Sequence, residues 1–320
     1  MRTAFCFTPD RAFFPAAVRA IASLIEAEPE TEAAIYLVCE PDDVTPGFER
    51  LAAPLRARIH LLTVDFSRLA GGLAGRGRFS RAVFRRLFLA EVMPPDIERI
   101  VSVDSDMLIA RPGLSRLAGF DFGGRPLAAA YDMIFLMDFK GADDPLVKRF
   151  RRSRAGLGLA PDTPYFNAGL MAIDRAAWRR ERLTERVTEA LARDPDRYPF
   201  MEQDALNATL RGGFAPLSPR FNFMGDFFLL DLERRLEPIV LHFVNAPKPW
   251  TFAAWKGEAR FAAAYRDWFE TSPWPDWAAA PESLSWRRGR PPLTGIRRAF
   301  AARLAGFLET QPFLDGPLRL

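Results

Sequence analysis

Short apolar runs at residues 3–7, 34–38, 58–64 and 100–103 alternate along the first third of the chain with segments of helical spacing. Runs this short suit strands buried on both faces, and strands separated by helices pair in parallel through crossovers. The alternation therefore predicts an α/β protein with a largely parallel sheet. Further strands are expected at 127–131, at 169–173 and at 239–243, the last closing the core. Ser80 is a good N-cap for a helix carrying Val83, Leu87 and Glu91, with Phe84 and Phe88 beside them. Asp174 is expected to cap one long helix reaching about residue 193, with a second helix opening near Glu202. The basic, Gly- and Pro-containing stretch 138–162 reads as an irregular excursion. At 320 residues and 49% hydrophobic composition, the chain can bury a substantial core.

Asp104 and Asp106 follow the apolar run 100–103, at the edge where open α/β sheets place ligands. With Ser105 between them, period-two alternation would turn both carboxylates to one side, where they can face a hard cation such as Mg²⁺ or Mn²⁺. His242, one of only two histidines, ends the run 239–241 and can meet them, its imidazole favouring Mn²⁺. His60 lies inside a strand-like run and reads as structural. Lys248 sits between Pro247 and Pro249, on a stiffened loop from which an ammonium can reach a phosphate.

Five strings occur in order: Asp104-Ser-Asp106, Tyr165-Phe-Asn-Ala-Gly-Leu-Met-Ala-Ile-Asp174, Glu202-Gln-Asp-Ala-Leu-Asn207, Arg220-Phe-Asn-Phe-Met224 and His242-Phe-Val-Asn-Ala-Pro-Lys-Pro-Trp250. Together they resemble the retaining glycosyltransferases of family 8, which include bacterial lipopolysaccharide galactosyl- and glucosyltransferases and glycogenin. The resemblance implies a GT-A-like nucleotide-diphospho-sugar transferase fold, with a mixed, mainly parallel central sheet flanked by helices. It implies a UDP-hexose donor, a metal held by Asp104, Asp106 and His242, and a pyrophosphate contact from Lys248. Asn245 stands where the family usually has glycine. Arg86, with Arg85 beside it, matches an arginine near the donor sugar and phosphates. Ser105 joins the donor-binding set, Asn167 matches an asparagine on the donor sugar, and Asp132 an acidic residue on sugar hydroxyls. Gln203 resembles the glutamine on the sugar face opposite the leaving group. A neutral amide is a poor nucleophile, which favours front-face retention. Glu202 replaces an aspartate of close relatives, and Asp204 is read as holding a local turn. After the first strand, Thr8 and Asp10 stand where relatives contact base and ribose, with Pro9 removing a backbone donor.

The resemblance covers residues 1–255, read as the catalytic domain; 256–292 reads as a Trp/Pro-rich linker or tail and 293–320 as a basic amphipathic helix. In that helix Ile296, Phe300, Leu304, Phe307 and Leu308 recur at helical spacing beside Arg297, Arg298 and Arg303, which suits docking on an anionic membrane surface, with packing on the core as the alternative. The formal charge is +4, with basic clusters at 149–154 and 287–303. These favour phosphates or lipid headgroups, since no nucleic-acid motif accompanies them. Cys6 and Cys39 lie in apolar runs and read as buried thiols, which fits a cytoplasmic protein. No signal peptide or run long enough to span a membrane is visible. The expected partners are a UDP-sugar and a glycan or lipid-linked oligosaccharide acceptor. Two other readings share these residues: a metal-dependent nucleotide-sugar hydrolase, and a catalytically silent sugar-nucleotide or glycan-binding protein.

Overall fold

The computed structural model describes residues 2–70, 73, 80–137, 145–224, 227–228, 232–244, 248–251, 259–278, 301–302 and 304. Strands β1 (Arg2–Phe7), β2 (Ala34–Cys39), β3 (Ile59–Thr63) and β4 (Ile97–Val103) form where the apolar runs predicted them. The short β5 (Met107–Ile109) follows, then β6 (Leu127–Tyr131), β7 (Phe166–Asp174), β8 (Ala215–Leu217), β9 (Phe223–Met224) and β10 (Val240–His242). The main sheet has the order β3-β2-β1-β4-β7-β6-β8. All neighbours in it are parallel except β7, which runs antiparallel to both β4 and β6. Period-two alternation sorts the core: Ala4, Cys6 and Ile100 pack on one face, while Phe5, Phe7, Val101 and Val103 pack on the other. Cys6 and Cys39 are free, buried thiols on opposite faces, and burial pushes Cys39 up to about 12.

Several expectations are corrected. His242 does not extend the main sheet: β10 pairs with β5 and β9 in a separate three-stranded sheet. The helix after Ser80 is a 3₁₀ helix, Arg81–Phe88, although the Ser80 side chain caps it by accepting the Ala82 N–H. The helix after Asp174 is capped as expected but breaks into Arg175–Arg180 and Leu183–Arg193, because Arg182 adopts a left-handed φ of 52°. Within the supposed excursion lies the helix Pro145–Gly156. One member of its basic cluster, Arg154, is buried and donates to the carbonyls of Ala160, Pro161 and Thr163. Its charge is spent on holding the chain, because those carbonyls have no strand partner.

Part of the stretch read as a linker is packed. The helix Ala259–Glu270 buries Phe261, Tyr265 and Phe269 against Phe228, Phe243 and Trp250. Trp274 reaches back to the N-terminal half, its indole N–H donating to Thr45 Oγ1 at 3.0 Å. Of the expected C-terminal helix only residues 301, 302 and 304 are described, and Leu304 is buried in the same apolar cluster.

Candidate active site

The reversed strand β7 is what assembles the site. Because it runs against β4 and β6, its N-terminal end lies at the sheet edge where those two strands end. The Asp104 N–H donates to Gly169 O at 2.9 Å, continuing the β4–β7 ladder one step past Val103. Asp132 leaves β6 in the same way, its N–H donating to Tyr165 O at 2.9 Å. Asp104, Ser105 and Asp106 therefore sit in the turn joining β4 to β5, not on an extended strand. Their carboxylates converge because β5 pairs with β10, with Met107 opposite His242. Among the described residues, Asp104, Asp106 and His242 form the one group of three or more such side chains whose ligand atoms come within 4.8 Å of one another.

His242 Nε2 lies 3.2 Å from Asp106 Oδ1 and 3.8 Å from Asp104 Oδ2. Asp106 Oδ1 is buried with no hydrogen-bond partner. An orphaned carboxylate oxygen facing a second carboxylate and an imidazole is an oxygen-rich donor set with one nitrogen, which fits Mn²⁺ or Mg²⁺. Gly169 makes the approach possible. A Cβ there would lie 2.9 Å from Met107 Cε and closer still to His242 Cε1. The expected role of this glycine, room beside the donor, becomes room for the imidazole.

The surrounding charges are balanced by cations. Lys248 Nζ pairs with Asp106 Oδ2 and donates to Phe243 O at 2.7 Å. Arg86 pairs with Asp104 and lies 3.5 Å from Glu202. Burial alone would raise Asp106, but the Lys248 ammonium beside it holds it well below the usual carboxylate range. Burial, with Asp106 adding to it, pushes Asp104 up. Burial opposes the Arg86 charge, yet Asp104 and Glu202 more than restore it. Glu202, buried and only partly compensated by Arg86, is pushed up to about 7. Of the two adjacent arginines, Arg86 thus faces the site. Arg85 turns to Glu40, Asp43 and the Pro9 carbonyl.

A second group of polar side chains adjoins the first. Asn167 donates to Asp132 Oδ2 at 3.0 Å, and Gln203 Nε2 lies 3.3 Å from the same oxygen. Gln203 Oε1 accepts the Ala168 N–H at 3.0 Å. Tyr165 donates to Asp204 at 2.6 Å, and Asp204 also accepts the Phe200 N–H at 2.7 Å, so Asp204 holds the local turn as expected. Burial pushes Asp204 up to about 6, against the Tyr165 hydrogen bond. Met201, at φ 51°, turns the chain into the helix Met201–Leu210, a left-handed conformation costing about 1 kcal/mol for a residue with a Cβ. Asn207 ties that helix to β7 by exchanging hydrogen bonds with the Phe166 backbone, 2.9 Å to its N–H and 3.0 Å to its carbonyl.

Other predicted residues stand apart. Asp10 accepts the Phe13 N–H at 2.9 Å and so helps start the helix Phe14–Ala27, while Thr8 is half-buried at the end of β1. Ser105 is half-buried in its turn, and Asn245 falls outside the described residues. His60 is exposed and stacks on Tyr36, with ring centroids 4.9 Å apart, away from the site. Sequence reasoning missed Asn222, Tyr165 and Asn207. All three lie inside strings already singled out, but nothing in their chemistry alone marks them from capping or core residues.

A sequence profile described as Glycosyl transferase family 8 matches residues 3–254. The chain belongs to glycosyl transferase family 8. As a family 8 member it is a glycosyltransferase. It is 24% identical over 249 residues to General stress protein A of Bacillus subtilis, covering 72% of this chain and 80% of that protein. It is 25% identical over 243 residues to lipopolysaccharide 1,3-galactosyltransferase of Salmonella typhimurium, covering 72% and 67%. Among solved structures, an active-site mutant of LgtC superposes with a TM-score of 0.65 at 24% identity, covering 83% of this chain and 95% of that one. The galactosyltransferase LgtC with donor and acceptor sugar analogs gives 0.62 at 22%, covering 90% and 98%. The family 8 fold here is GT-A, as expected.

Proposed function

We infer that this family 8 enzyme is a metal-dependent, retaining hexosyltransferase that moves glucose or galactose from a UDP-sugar to a lipopolysaccharide or other surface-glycan acceptor. The observation that carries the metal dependence is the unpartnered Asp106 Oδ1, facing Asp104 and His242 beside the Asn167–Asp132–Gln203 group. A divalent cation held by Asp104, Asp106 and His242 would supply positive charge to a departing diphosphate. Lys248 and Arg86 bring two further cations to the same edge, and their attraction grows as the leaving group gains charge. Gln203 is held as an amide by the Ala168 N–H and by its own donation toward Asp132 and Tyr165, so it offers a dipole and no nucleophile. This supports front-face retention, with the acceptor hydroxyl attacking the side from which phosphate leaves.

The acceptor class rests on the name of the Salmonella relative. Such lipid-linked acceptors suit work at the inner face of the cytoplasmic membrane, and no helix among the described residues is long and apolar enough to cross one. Peripheral docking through residues 293–320 rests on their basic and apolar sequence pattern, less Leu304, whose side chain the core takes up. The test is product analysis by NMR with UDP-glucose and UDP-galactose, each with and without truncated lipopolysaccharide, and with EDTA followed by Mn²⁺. Transfer with an α-linked product, lost with EDTA and restored by Mn²⁺, is expected. Free sugar as the main product with acceptor present would favour the hydrolase, and no turnover with any donor the silent binder.

A further inference from the structure

The hydrogen-bond pattern around His242 can be read from one unambiguous donor. The Gly169 backbone N–H can only donate, and it points at one amide atom of Asn167 at 3.0 Å, so that atom is Oδ1. The Asn167 nitrogen then faces Asp132 Oδ2, which as a carboxylate accepts. Asn222 approaches the same Asn167 Oδ1 at 3.0 Å, and only its NH₂ can face a carbonyl oxygen. Its own Oδ1 is thereby turned to His242 Nδ1, at 2.8 Å. Only an N–H can sit there. In its neutral form the imidazole carries one N–H, and with that proton on Nδ1 the lone pair of Nε2 is the one turned toward Asp104 and Asp106.

We propose that Asn222 is a positioning residue that locks His242 in the Nδ1–H tautomer and couples it, through Asn167, to the Asp132 side of the site. Asn222 is 0% exposed, and both ends of its amide are spent on site residues. It lies between the short helix Pro219–Phe221 and β9, the strand hydrogen-bonded to β10 beside His242. Free histidine in water favours the opposite tautomer, which would aim a proton at the carboxylates and oppose any cation between them. The proton on Nδ1 follows from the hydrogen bonds alone, while its use in holding a metal rests on the function inferred above.

With only two histidines in the chain, ¹⁵N-histidine labelling resolves the ring directly in long-range ¹H–¹⁵N spectra. Followed upward in pH until the ring is neutral, the wild-type His242 signals are expected to show a protonated Nδ1 and a bare Nε2, and exposed His60 serves as the internal reference. Asn222→Leu is expected to move His242 toward the Nε2–H form and to weaken Mn²⁺ binding, measured by calorimetry without nucleotide, by roughly 10–100-fold. Asn222→Asp keeps the acceptor for Nδ1–H but loses the donor to Asn167. It should keep the tautomer and most of the Mn²⁺ affinity while kcat falls. A neutral wild-type ring that is Nε2–H overturns the proposal, as does an Asn222→Leu ring with unchanged tautomer. If Asn222→Leu does not fold, the wild-type and Asn222→Asp spectra decide. A wild-type ring of the derived tautomer with no Mn²⁺ binding would instead sink the metal reading and leave the tautomer lock standing.

Discussion

Replacing Gly169 by alanine adds one methyl group at the point where strand β7 and His242 are closest. The new Cβ would meet Met107 Cε and Asn167 Oδ1 at 2.9 Å and press harder still on His242 Cε1, where ordinary contacts need about 3.5–4 Å. Met107 is a flexible side chain and can give way. His242 cannot move freely, because its ring is held by Asn222 and its backbone pairs with Met107 and Met224. The strand cannot retreat either, since β7 is bonded to β4 on one side and β6 on the other. Two costs follow. Overpacking of this kind destabilises by about 1–3 kcal/mol, and a ring displaced by more than the ~0.2 Å that metal ligation tolerates loses affinity. Gly169→Ala is therefore expected to fold with a lowered Tm and to bind Mn²⁺ roughly 10–100-fold more weakly, the range seen when ligand orientation is disturbed. Calorimetric titration with Mn²⁺ and a thermal melt followed by circular dichroism measure the two separately. A variant with wild-type metal affinity would refute the assignment of this glycine to the imidazole.

Asp104→Ala and Asp106→Ala are each expected to abolish turnover and Mn²⁺ binding while leaving the circular dichroism spectrum intact; full activity of either in metal-free buffer contradicts the metal site. Gln203→Ala should lower kcat substantially yet give a product of unchanged anomeric configuration by NMR, whereas a trapped sugar–Gln203 adduct in the wild type would refute front-face retention. Glu202 sets a pH dependence. Its folded-state pKa is raised from 4.5 to about 7, so through that window the folded protein keeps a proton the unfolded chain has lost, and stability falls as pH rises. The full loss is about 3 kcal/mol, and Glu202→Gln should flatten that slope in denaturant titrations at about pH 5 and pH 8; an unchanged slope assigns the dependence elsewhere. Tyr265→Ala should cost about 3–5 kcal/mol, as for other large buried aromatics, and a variant as stable as the wild type would mean that the helix Ala259–Glu270 does not fold with the catalytic core.

The parts of the molecule that were legible in the sequence are those whose physics is local. A strand buried on both faces, such as β1 or β4, must be continuously apolar, and Ser80 and Asp174 declare themselves as caps because the hydrogen bonds they satisfy are two and three residues away. The failures are non-local. Nothing in the residues 239–243 says whether that strand joins the main sheet or a smaller one, since both bury the same side chains. Arg154 looked like part of an anion-binding cluster because the carbonyls it holds lie beyond the end of its helix. The Trp-rich stretch looked like a linker because its partners, Phe228, Phe243 and Trp250, belong to other parts of the chain.

The site divides along the same line. Asp104, Asp106 and His242 could be nominated because the ordered family strings single them out from the carboxylates and histidines that commonly end strands. Asn222 could not, because an asparagine beside a strand is indistinguishable from a turn former until its two amide atoms are seen to face His242 and Asn167. The groups proposed to hold metal and sugar are one hydrogen-bonded assembly, running from His242 through Asn222 and Asn167 to Asp132 and Gln203. Each member has its orientation set by the next, and the series is anchored on the backbone N–H groups of Ala168 and Gly169, next to each other in strand β7. A substitution on one side should therefore be felt on the other. That coupling follows from fixed donors on a central strand, and it explains how a neutral glutamine and two neutral asparagines can be held in single orientations among buried carboxylates.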